Sequence, residues 1–69
     1  MKIFCNRLRE LRTEKGLSQK EFAKILNTTN SSVCDWECGR TEPSLETLVK
    51  IADYFNVCTD YILGRKDYF

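Results

Sequence analysis

The chain has 69 residues and a formal net charge of +1, with 42% hydrophobic and 30% charged residues. This length allows one domain with a small core, and the composition is typical of a globular chain rather than a disordered one. No apolar run approaches the roughly 20 residues of a membrane helix, and the first residues lack the features of a signal peptide, so we expect a cytoplasmic location and no membrane partner.

The chain has no histidine, no nucleophile paired with a base and no glycine-rich phosphate loop. This pattern argues against an enzyme, and we expect no cofactor, metal or small-molecule substrate.

The charged residues are unevenly distributed along the chain. Residues 1–20 carry six Lys or Arg and two Glu, whereas residues 21–69 carry five Lys or Arg and eight acidic residues. A basic pole is compatible with binding a polyanion on one side, although taken alone it is more typical of a solvated surface. We interpret Arg7 and Arg9, which belong to this pole, as ordinary surface residues.

The first predicted helix is amphipathic and ends near Gly16. Phe4, Leu8 and Leu11 recur at i, i+4 and i+7, which places them on one face of a helix. This face is expected to pack on the core.

The second predicted helix starts at a capping box. Ser18 can accept a hydrogen bond from the backbone N–H of Glu21, whose side chain can reach back to Ser18, and Leu17 can pack on Phe22 as a hydrophobic staple. Asn27 then marks the end of the helix, because asparagine tolerates the left-handed backbone conformation that often follows a helix.

The third predicted helix is capped by Thr29 and ends at Gly39. It buries Val33 and Trp36, which lie three residues apart on one face. A row of short polar side chains is left on the other faces for solvent or for a ligand: Asn30, Ser31, Cys34 and Asp35.

The fourth predicted helix is capped by Ser44 and ends at Asn56. Its apolar stripe is interpreted as core and consists of Leu45, Leu48, Ile51, Ala52 and Phe55. A fifth helix begins at Cys58 or Thr59 and runs to Gly64. No strand pattern competes with these five helices, so the sequence predicts an all-α fold.

The four cysteines are expected to be free thiols, as is usual in a cytoplasmic chain. Cys34 and Cys38 share a helical face, but two thiols fall short of a four-ligand zinc site unless a second subunit contributes. The main interpretation is that they are simply small side chains, and the alternative is a thiol-based redox switch. Cys5 and Cys58 are expected to be buried or to cap a helix.

The segment from residue 17 to residue 39 resembles the helix-turn-helix of the phage lambda repressor and Cro family, also called the XRE family. Gln19 opens the first helix of the motif, Ala23 stands where crossing helices need a small side chain, and Asn27 stands at the turn, where the family usually has Gly. The residues that follow Val33 match the family's W-E-x-G-x-x-x-P ending, and VCTDYILG is similar to its closing V-S-x-D-Y-L-L-G.

The resemblance covers roughly Phe4 to Gly64. It implies a five-helix domain of the lambda repressor type, with the helix-turn-helix formed by the second and third helices. We therefore expect one domain over residues 1–64 and a short C-terminal tail over residues 65–69.

The resemblance also implies that the third helix enters the major groove of double-stranded DNA, where the first residues of such a helix reach base edges. Asn30 and Ser31 are the best candidates for base contact, since asparagine can pair with adenine through two hydrogen bonds. Asp35, one turn later, has two open interpretations: it is repelled by phosphates, or it accepts a hydrogen bond from the amino group of cytosine.

Contacts with DNA phosphates are implied for a second group of residues. These are Gln19, Thr28, Ser32, Arg40 and Arg12. Gln19 stands at a helix start, where free N–H groups favour an anion, although simple helix-start propensity also explains Gln19 and Ser32. By resemblance, Arg12 pairs with Glu37, and a purely structural ion pair is an equally good explanation for it.

Together these features predict a sequence-specific transcriptional regulator, a repressor or autoregulator that binds a palindromic operator as a homodimer. We expect the fifth helix and the aromatic tail, Tyr68 and Phe69, to form the self-association surface. The alternative is a protein-interaction module of the same fold, an antitoxin or antirepressor with secondary or lost DNA binding. Asp35, Cys38 and the near-neutral charge favour that alternative.

Overall fold

The computed structural model describes residues 2–67, and every regular element in that range is a helix. The helices are α1 (Lys2–Glu14), α2 (Gln19–Ile25), α3 (Asn30–Cys38), α4 (Leu45–Phe55) and α5 (Thr59–Ile62). The predicted all-α, five-helix fold is therefore confirmed. None of these helices has both the length and the apolar character needed to cross a membrane.

The helix starts predicted from short polar residues are present. Ser18 accepts a hydrogen bond from the backbone nitrogen of Glu21 at 3.0 Å, and the backbone nitrogen of Ser18 donates to Glu21 Oε1 at 2.8 Å. Thr29 caps α3 and Ser44 caps α4 in the same way, each accepting from a backbone N–H three residues later. These bonds satisfy donors that a helix N-terminus otherwise leaves free.

We expect Glu21→Gln to remove a pH-dependent part of the stability. The backbone N–H of Ser18, and then its hydroxyl, hold the pKa of Glu21 below its ordinary value of 4.5. A lowered folded-state pKa means that the ionised carboxylate stabilises the fold above that ordinary value, and that this contribution is lost as the pH falls through the folded pKa. Urea unfolding of both proteins at several pH values should show a difference at pH 7 that disappears in acid. A difference that stayed constant with pH would contradict this account.

Two asparagines end helices as predicted. Asn27 follows α2 with φ of 58°, and Asn56 follows α4 with φ of 56°. Gly39 ends α3 with φ of 81°, a conformation that costs other residues free energy because of their Cβ atoms. Each of these residues reverses the chain within a short turn, which lets neighbouring helices pack closely.

All five helices contribute to one hydrophobic core. The largest fully buried side chains include one from each helix: Leu8, Phe22, Val33, Ile51 and Ile62. The ring of Phe22 lies 5.4 Å from that of Phe55, so α2 and α4 meet through aromatic contact. The helix-turn-helix is thus anchored on its inner side by the rest of the domain.

One predicted core residue is not in the core. Leu45 is 82% exposed, whereas Ile51, Ala52 and Phe55 of the same predicted stripe are buried and Leu48 is half-buried. Leu45 is the first residue of α4, so it lies at the end of the helix, outside the part that packs on the core. Leu45 fits the apolar period of α4, but the packing of the other helices does not extend far enough to bury its side chain.

The interpretation of Arg7 as an ordinary surface residue is wrong. Its guanidinium lies 4.2 Å from the centre of the Tyr61 ring, and it donates hydrogen bonds to the backbone oxygens of Tyr61 and Lys66, the latter at 2.8 Å. Arg7 therefore joins α1 to α5 and to the segment after it. A cation over an aromatic face with two carbonyl acceptors is a structural contact between distant parts of the chain.

The segment after α5 is partly held in place. The backbone nitrogen of Arg65 donates to the backbone oxygen of Asp60 at 2.8 Å, and the Lys66 ammonium lies 3.9 Å from the Asp60 carboxylate. The aromatic residues Tyr68 and Phe69, proposed from the sequence as part of a self-association surface, lie outside the described residues.

Candidate nucleic-acid interface

The helix-turn-helix is formed by α2, a short turn and α3. The backbone nitrogen of Thr28 donates to the oxygen of Ala23 at 2.9 Å, which closes the end of α2 just after Asn27. Ala23 is buried, and its small side chain suits the close approach of the two helices. The predicted motif is therefore present with its turn intact.

The two sides of α3 differ in character. Val33, Trp36 and Glu37 are buried against the domain. Because successive residues of a helix are about 100° apart, the opposite side carries Ser31, Cys34, Asp35 and Cys38, with Asn30 in the first turn beside them. We call these five residues the outer face of α3. Asn30 and Ser31, the predicted base-contacting residues, are both exposed.

A buried carboxylate ties α3 to α1 and α2. The side chain of Glu37 is 1% exposed, and Arg12 donates to it from Nε at 2.7 Å and from Nη2 at 3.1 Å. Gln19 Nε2 donates to Glu37 Oε1 at 3.1 Å. Arg9 Nη2 donates to the backbone oxygen of Glu37 at 2.9 Å, so Arg9, although its side chain is 51% exposed, is not the ordinary surface residue that was predicted. We call these four residues the Glu37 network, and it fixes the end of α3 relative to the two preceding helices.

The network changes the interpretation of two predicted phosphate contacts. The Arg12–Glu37 pair is confirmed, but the Arg12 side chain is only 12% exposed, and its Nη1 also donates to the backbone oxygen of Leu17 at 2.6 Å. Arg12 is thus held mainly inside the fold. Gln19 is half-buried and uses its amide nitrogen on Glu37, which leaves the second N–H of that amide for another acceptor.

Thr28 and Ser32, two of the other predicted phosphate contacts, lie at the turn and in the first turn of α3. Both are half-buried. The Ser32 hydroxyl accepts a hydrogen bond from Thr29 Oγ1 at 2.9 Å, so it is already oriented by the cap. These two residues lie close to Asn30 and Ser31 in the chain, at the N-terminal end of α3.

Asp35 and Arg40 form an exposed ion pair. Arg40 Nη1 lies 3.3 Å from Asp35 Oδ1, and the Arg40 side chain is 70% exposed. The chain turns back at Gly39, so the backbone nitrogen of Arg40 donates to the backbone oxygen of Asp35 at 2.9 Å. The cation offsets part of the negative charge of Asp35. The sequence predicts separate roles for these two residues and does not indicate their pairing.

Cys34 and Cys38 lie side by side on the outer face of α3, as their spacing predicted. Their sulfur atoms are 3.8 Å apart, within hydrogen-bonding distance for thiols. That hydrogen bond is the main cause that raises the pKa of Cys34 above its ordinary value of 9.0, so Cys34 carries its proton at neutral pH. Cys5 is buried, as expected, whereas Cys58 is exposed. Cys58 occupies the N-cap position of α5, but its side chain makes no capping hydrogen bond. Residues 2–67 contain no group of three or more side chains suited to hold a metal ion.

Sequence comparison with known proteins identifies a family and several relatives of this chain. The pattern of the family described as helix-turn-helix matches residues 8–62. The transcriptional regulator ImmR of Bacillus subtilis is 39% identical over 61 residues, which cover 88% of this chain and 48% of ImmR. The chain spans about half the length of the regulators that it matches in sequence.

Two solved structures share the fold at high similarity. The P22 c2 repressor, solved in complex with a synthetic operator, has a TM-score of 0.84 and 25% identity, with 91% of this chain and 96% of that chain covered. The restriction-modification controller protein C.AhdI from Aeromonas hydrophila has a TM-score of 0.75 and 37% identity, with 86% of each chain covered. The buried core, the motif and these similarities lead to one assignment: the chain belongs to the helix-turn-helix family of the lambda repressor and Cro type.

Proposed function

We propose that the protein is a sequence-specific transcriptional regulator that inserts α3 into the major groove of double-stranded DNA. The observation that carries this proposal is the two-sided character of α3. Its inner side is anchored by Val33, Trp36 and the Glu37 network, while its outer face presents short polar side chains to solvent. A rigid helix with a free polar face suits recognition of base edges. The P22 c2 repressor, which has this fold, was solved with operator DNA.

The base-contacting residues in this proposal are Asn30, Ser31 and Asp35. Asn30 and Ser31 are exposed in the first turn of α3, the part of such a helix that reaches base edges. Asp35 lies one turn after Ser31 and is paired with Arg40. We propose that this partial neutralisation allows Asp35 to approach the DNA and to accept from cytosine.

Phosphate contacts in this proposal come from Gln19, Thr28, Ser32 and Arg40. The side chain of Arg40, which follows the outer face, is 70% exposed, and Gln19 has one amide N–H left after its bond to Glu37. The main role of Arg12 is structural, because its guanidinium is largely buried on Glu37. Such phosphate contacts orient the protein but read no sequence.

The proposed domain covers residues 1–64, and we propose that it acts in the cytoplasm as a homodimer and represses transcription. A dimer of such domains binds two half-sites about 10 bp apart, or a multiple of that, on one face of DNA. Because the two subunits of a dimer are joined, their simultaneous binding to both half-sites is stronger than the binding of one small domain to one half-site.

An apolar groove outside the helix-turn-helix supports the dimer. It is lined by five mostly apolar residues and one carboxylate: Phe4, Pro43, Leu45, Leu48, Leu63 and Glu42. Leu45 is 82% exposed, and Ile3 and Val49, on the adjoining helices α1 and α4, are each 51% exposed. We propose that a second copy of the chain covers this groove, which adjoins α5, the helix that the sequence analysis assigned to self-association.

We expect Leu45→Glu to weaken dimerisation about tenfold or more, because burying one leucine stabilises an interface by about 1.5–3 kcal/mol. The substitution should leave the monomer folded, since Leu45 is exposed. Sedimentation equilibrium at several concentrations measures the effect. Ile25→Glu is the matched control, because Ile25 is also an exposed apolar helix residue but belongs to α2. Equal effects of both substitutions, or no effect of Leu45→Glu, would contradict this interface.

Selection of bound duplexes from a random DNA library tests the function as a whole. We expect an enriched palindrome with half-sites about one helical turn apart, and an affinity that falls steeply with salt. A folded protein that enriches no sequence would contradict the proposal. Co-purification of one protein, without salt-dependent DNA binding, would instead support the protein-interaction module.

A further inference from the structure

The outer face of α3 carries a thiol pair that base and phosphate recognition leave unused. Cys38 is exposed, Cys34 is half-buried, and their sulfur atoms lie 3.8 Å apart. Both residues belong to the surface that the proposed function directs at DNA. We propose that Cys34 and Cys38 are an oxidation site whose conversion into an intramolecular disulfide by a hydroperoxide releases the protein from DNA. This inference rests on the proposed function.

The chemistry needs only the two thiols and the peroxide. The thiolate of Cys38, the more exposed residue, attacks one peroxide oxygen, the O–O bond breaks, and a sulfenic acid and an alcohol or water are formed. The Cys34 sulfur then attacks the Cys38 sulfur, the S–O bond breaks, and water leaves as the disulfide forms. The two sulfur atoms together lose two electrons, which reduce the peroxide. A cytoplasmic thiol reductant reverses the reaction by exchange.

The disulfide does not fit an undistorted helix. Side chains four residues apart on a helix have Cβ atoms about 5–6 Å apart, whereas a disulfide requires about 3.5–4.5 Å. The last turn of α3 must therefore tighten or unwind. Cys38 is the final residue of the helix, and Gly39 follows in the left-handed conformation, so the distortion is confined to the end where the helix is easiest to deform.

This end of the helix also carries the groups that hold α3 in position. Glu37 lies between the two cysteines in sequence and binds Arg12 and Gln19, and Arg40, just beyond, is bonded to Asp35 through both its backbone and its side chain. A distorted last turn displaces these groups from the positions that α3 needs in the groove. By linkage, DNA that requires the intact helix shifts the equilibrium between the dithiol and the disulfide toward the dithiol by the same factor.

The hydrogen bond between the thiols supports the assignment of their roles. It raises the pKa of Cys34, which lowers the fraction of Cys34 thiolate and disfavours Cys34 as the first thiol to react. Cys34 is then the resolving residue, already within 3.8 Å of the sulfur that it must attack.

The test uses the full chain, hydrogen peroxide as the oxidant and an operator obtained by selection. Three quantities are measured before and after treatment: the mass of the peptide that contains both cysteines, the helical circular dichroism and the DNA affinity. We expect a loss of two hydrogens from that peptide and about tenfold weaker binding, within the usual range for coupled sites. A dithiol reductant should restore both.

Variants identify the residues involved. The ratio of oxidised to reduced affinity should approach one in Cys34→Ser and in Cys38→Ser, and should remain as in the wild type in Cys58→Ser, which removes another exposed thiol. A Cys34–Cys38 disulfide that left DNA affinity unchanged, or a folded protein that formed no such disulfide, would overturn the inference. A reduced protein that binds no duplex at all would refute the proposed function instead, which separates the two failures.

Discussion

Replacing Glu37 by glutamine is expected to lower the free energy of unfolding by about 3 kcal/mol, the lower end of the range for breaking a buried ion pair. The Glu37 carboxylate is 1% exposed and accepts from Arg12 and Gln19. Glutamine of the same size removes the negative charge and places an N–H₂ group among these donors. The guanidinium of Arg12, only 12% exposed, is then left without its counter-ion.

Urea unfolding followed by circular dichroism measures this loss. Glu42→Gln is the matched control, because it removes the same charge from an exposed loop, and it should change the free energy of unfolding by no more than about 0.5 kcal/mol. The loss at position 37 is a large fraction of the stability of a domain this small. Equal effects of the two substitutions would show that the Glu37 network adds little to the fold.

A double substitution shows whether the loss comes from the unpaired charge. Arg12→Met combined with Glu37→Met replaces both charges by apolar side chains, a change that is often neutral or stabilising for buried pairs. The double variant should therefore be more stable than the sum of the single effects predicts. Strictly additive effects would mean that the two side chains contribute independently.

Local features of the fold could be predicted because their causes lie within a few residues. Ser18, Thr29 and Ser44 cap helices through bonds that span three residues. Asn27 and Asn56 adopt the left-handed conformation that asparagine tolerates. Periodicity likewise predicted which side of α3 is buried. In each case the residues that form the sequence pattern are also the residues that determine the local structure, and they lie within a few positions of one another.

Features that depend on how helices cross were harder to predict. Leu45 satisfies the apolar period of α4 but has no neighbour to cover it, and Arg7 reaches a ring and carbonyl groups more than 50 residues away. The bond from Gln19 to Glu37 joins residues 18 apart in sequence. The Arg12–Glu37 pair was indicated only by family resemblance. Pattern alone does not reveal such contacts, because they depend on tertiary packing.

The candidate site also combines features that helical spacing predicts with a contact that it does not predict. The outer face of α3 follows from helical spacing, so Asn30, Ser31 and the thiol pair could be assigned to it. The Asp35–Arg40 pair exists because the chain reverses at Gly39 and brings residue 40 back over the last turn. The pairing partly offsets the charge of Asp35 within the protein itself.

Asn30→Ala is expected to cost about 1–3 kcal/mol of binding free energy at one base-pair position and to relax the preference for that base. Asn30 is exposed in the first turn of α3, so alanine, a good helix former, should leave the fold intact. Thermal unfolding of the variant checks that point. Competition binding against operators that differ at single positions measures the specificity.

Arg40→Ala is the control that distinguishes a loss of base recognition in Asn30→Ala from a general loss of DNA binding. Removal of an exposed cation should weaken binding to all sequences alike and reduce the slope of affinity against salt by about one. It also frees Asp35 from its partner. Asp35→Asn combined with Arg40→Ala should recover part of the lost affinity, because asparagine removes the repulsion of phosphates and keeps a side-chain oxygen that can accept from cytosine. If Asn30→Ala also weakened all operators uniformly, the assignment of Asn30 to base recognition would be wrong. The specificity would then have to come from Ser31, from Asp35 or from the deformability of the DNA.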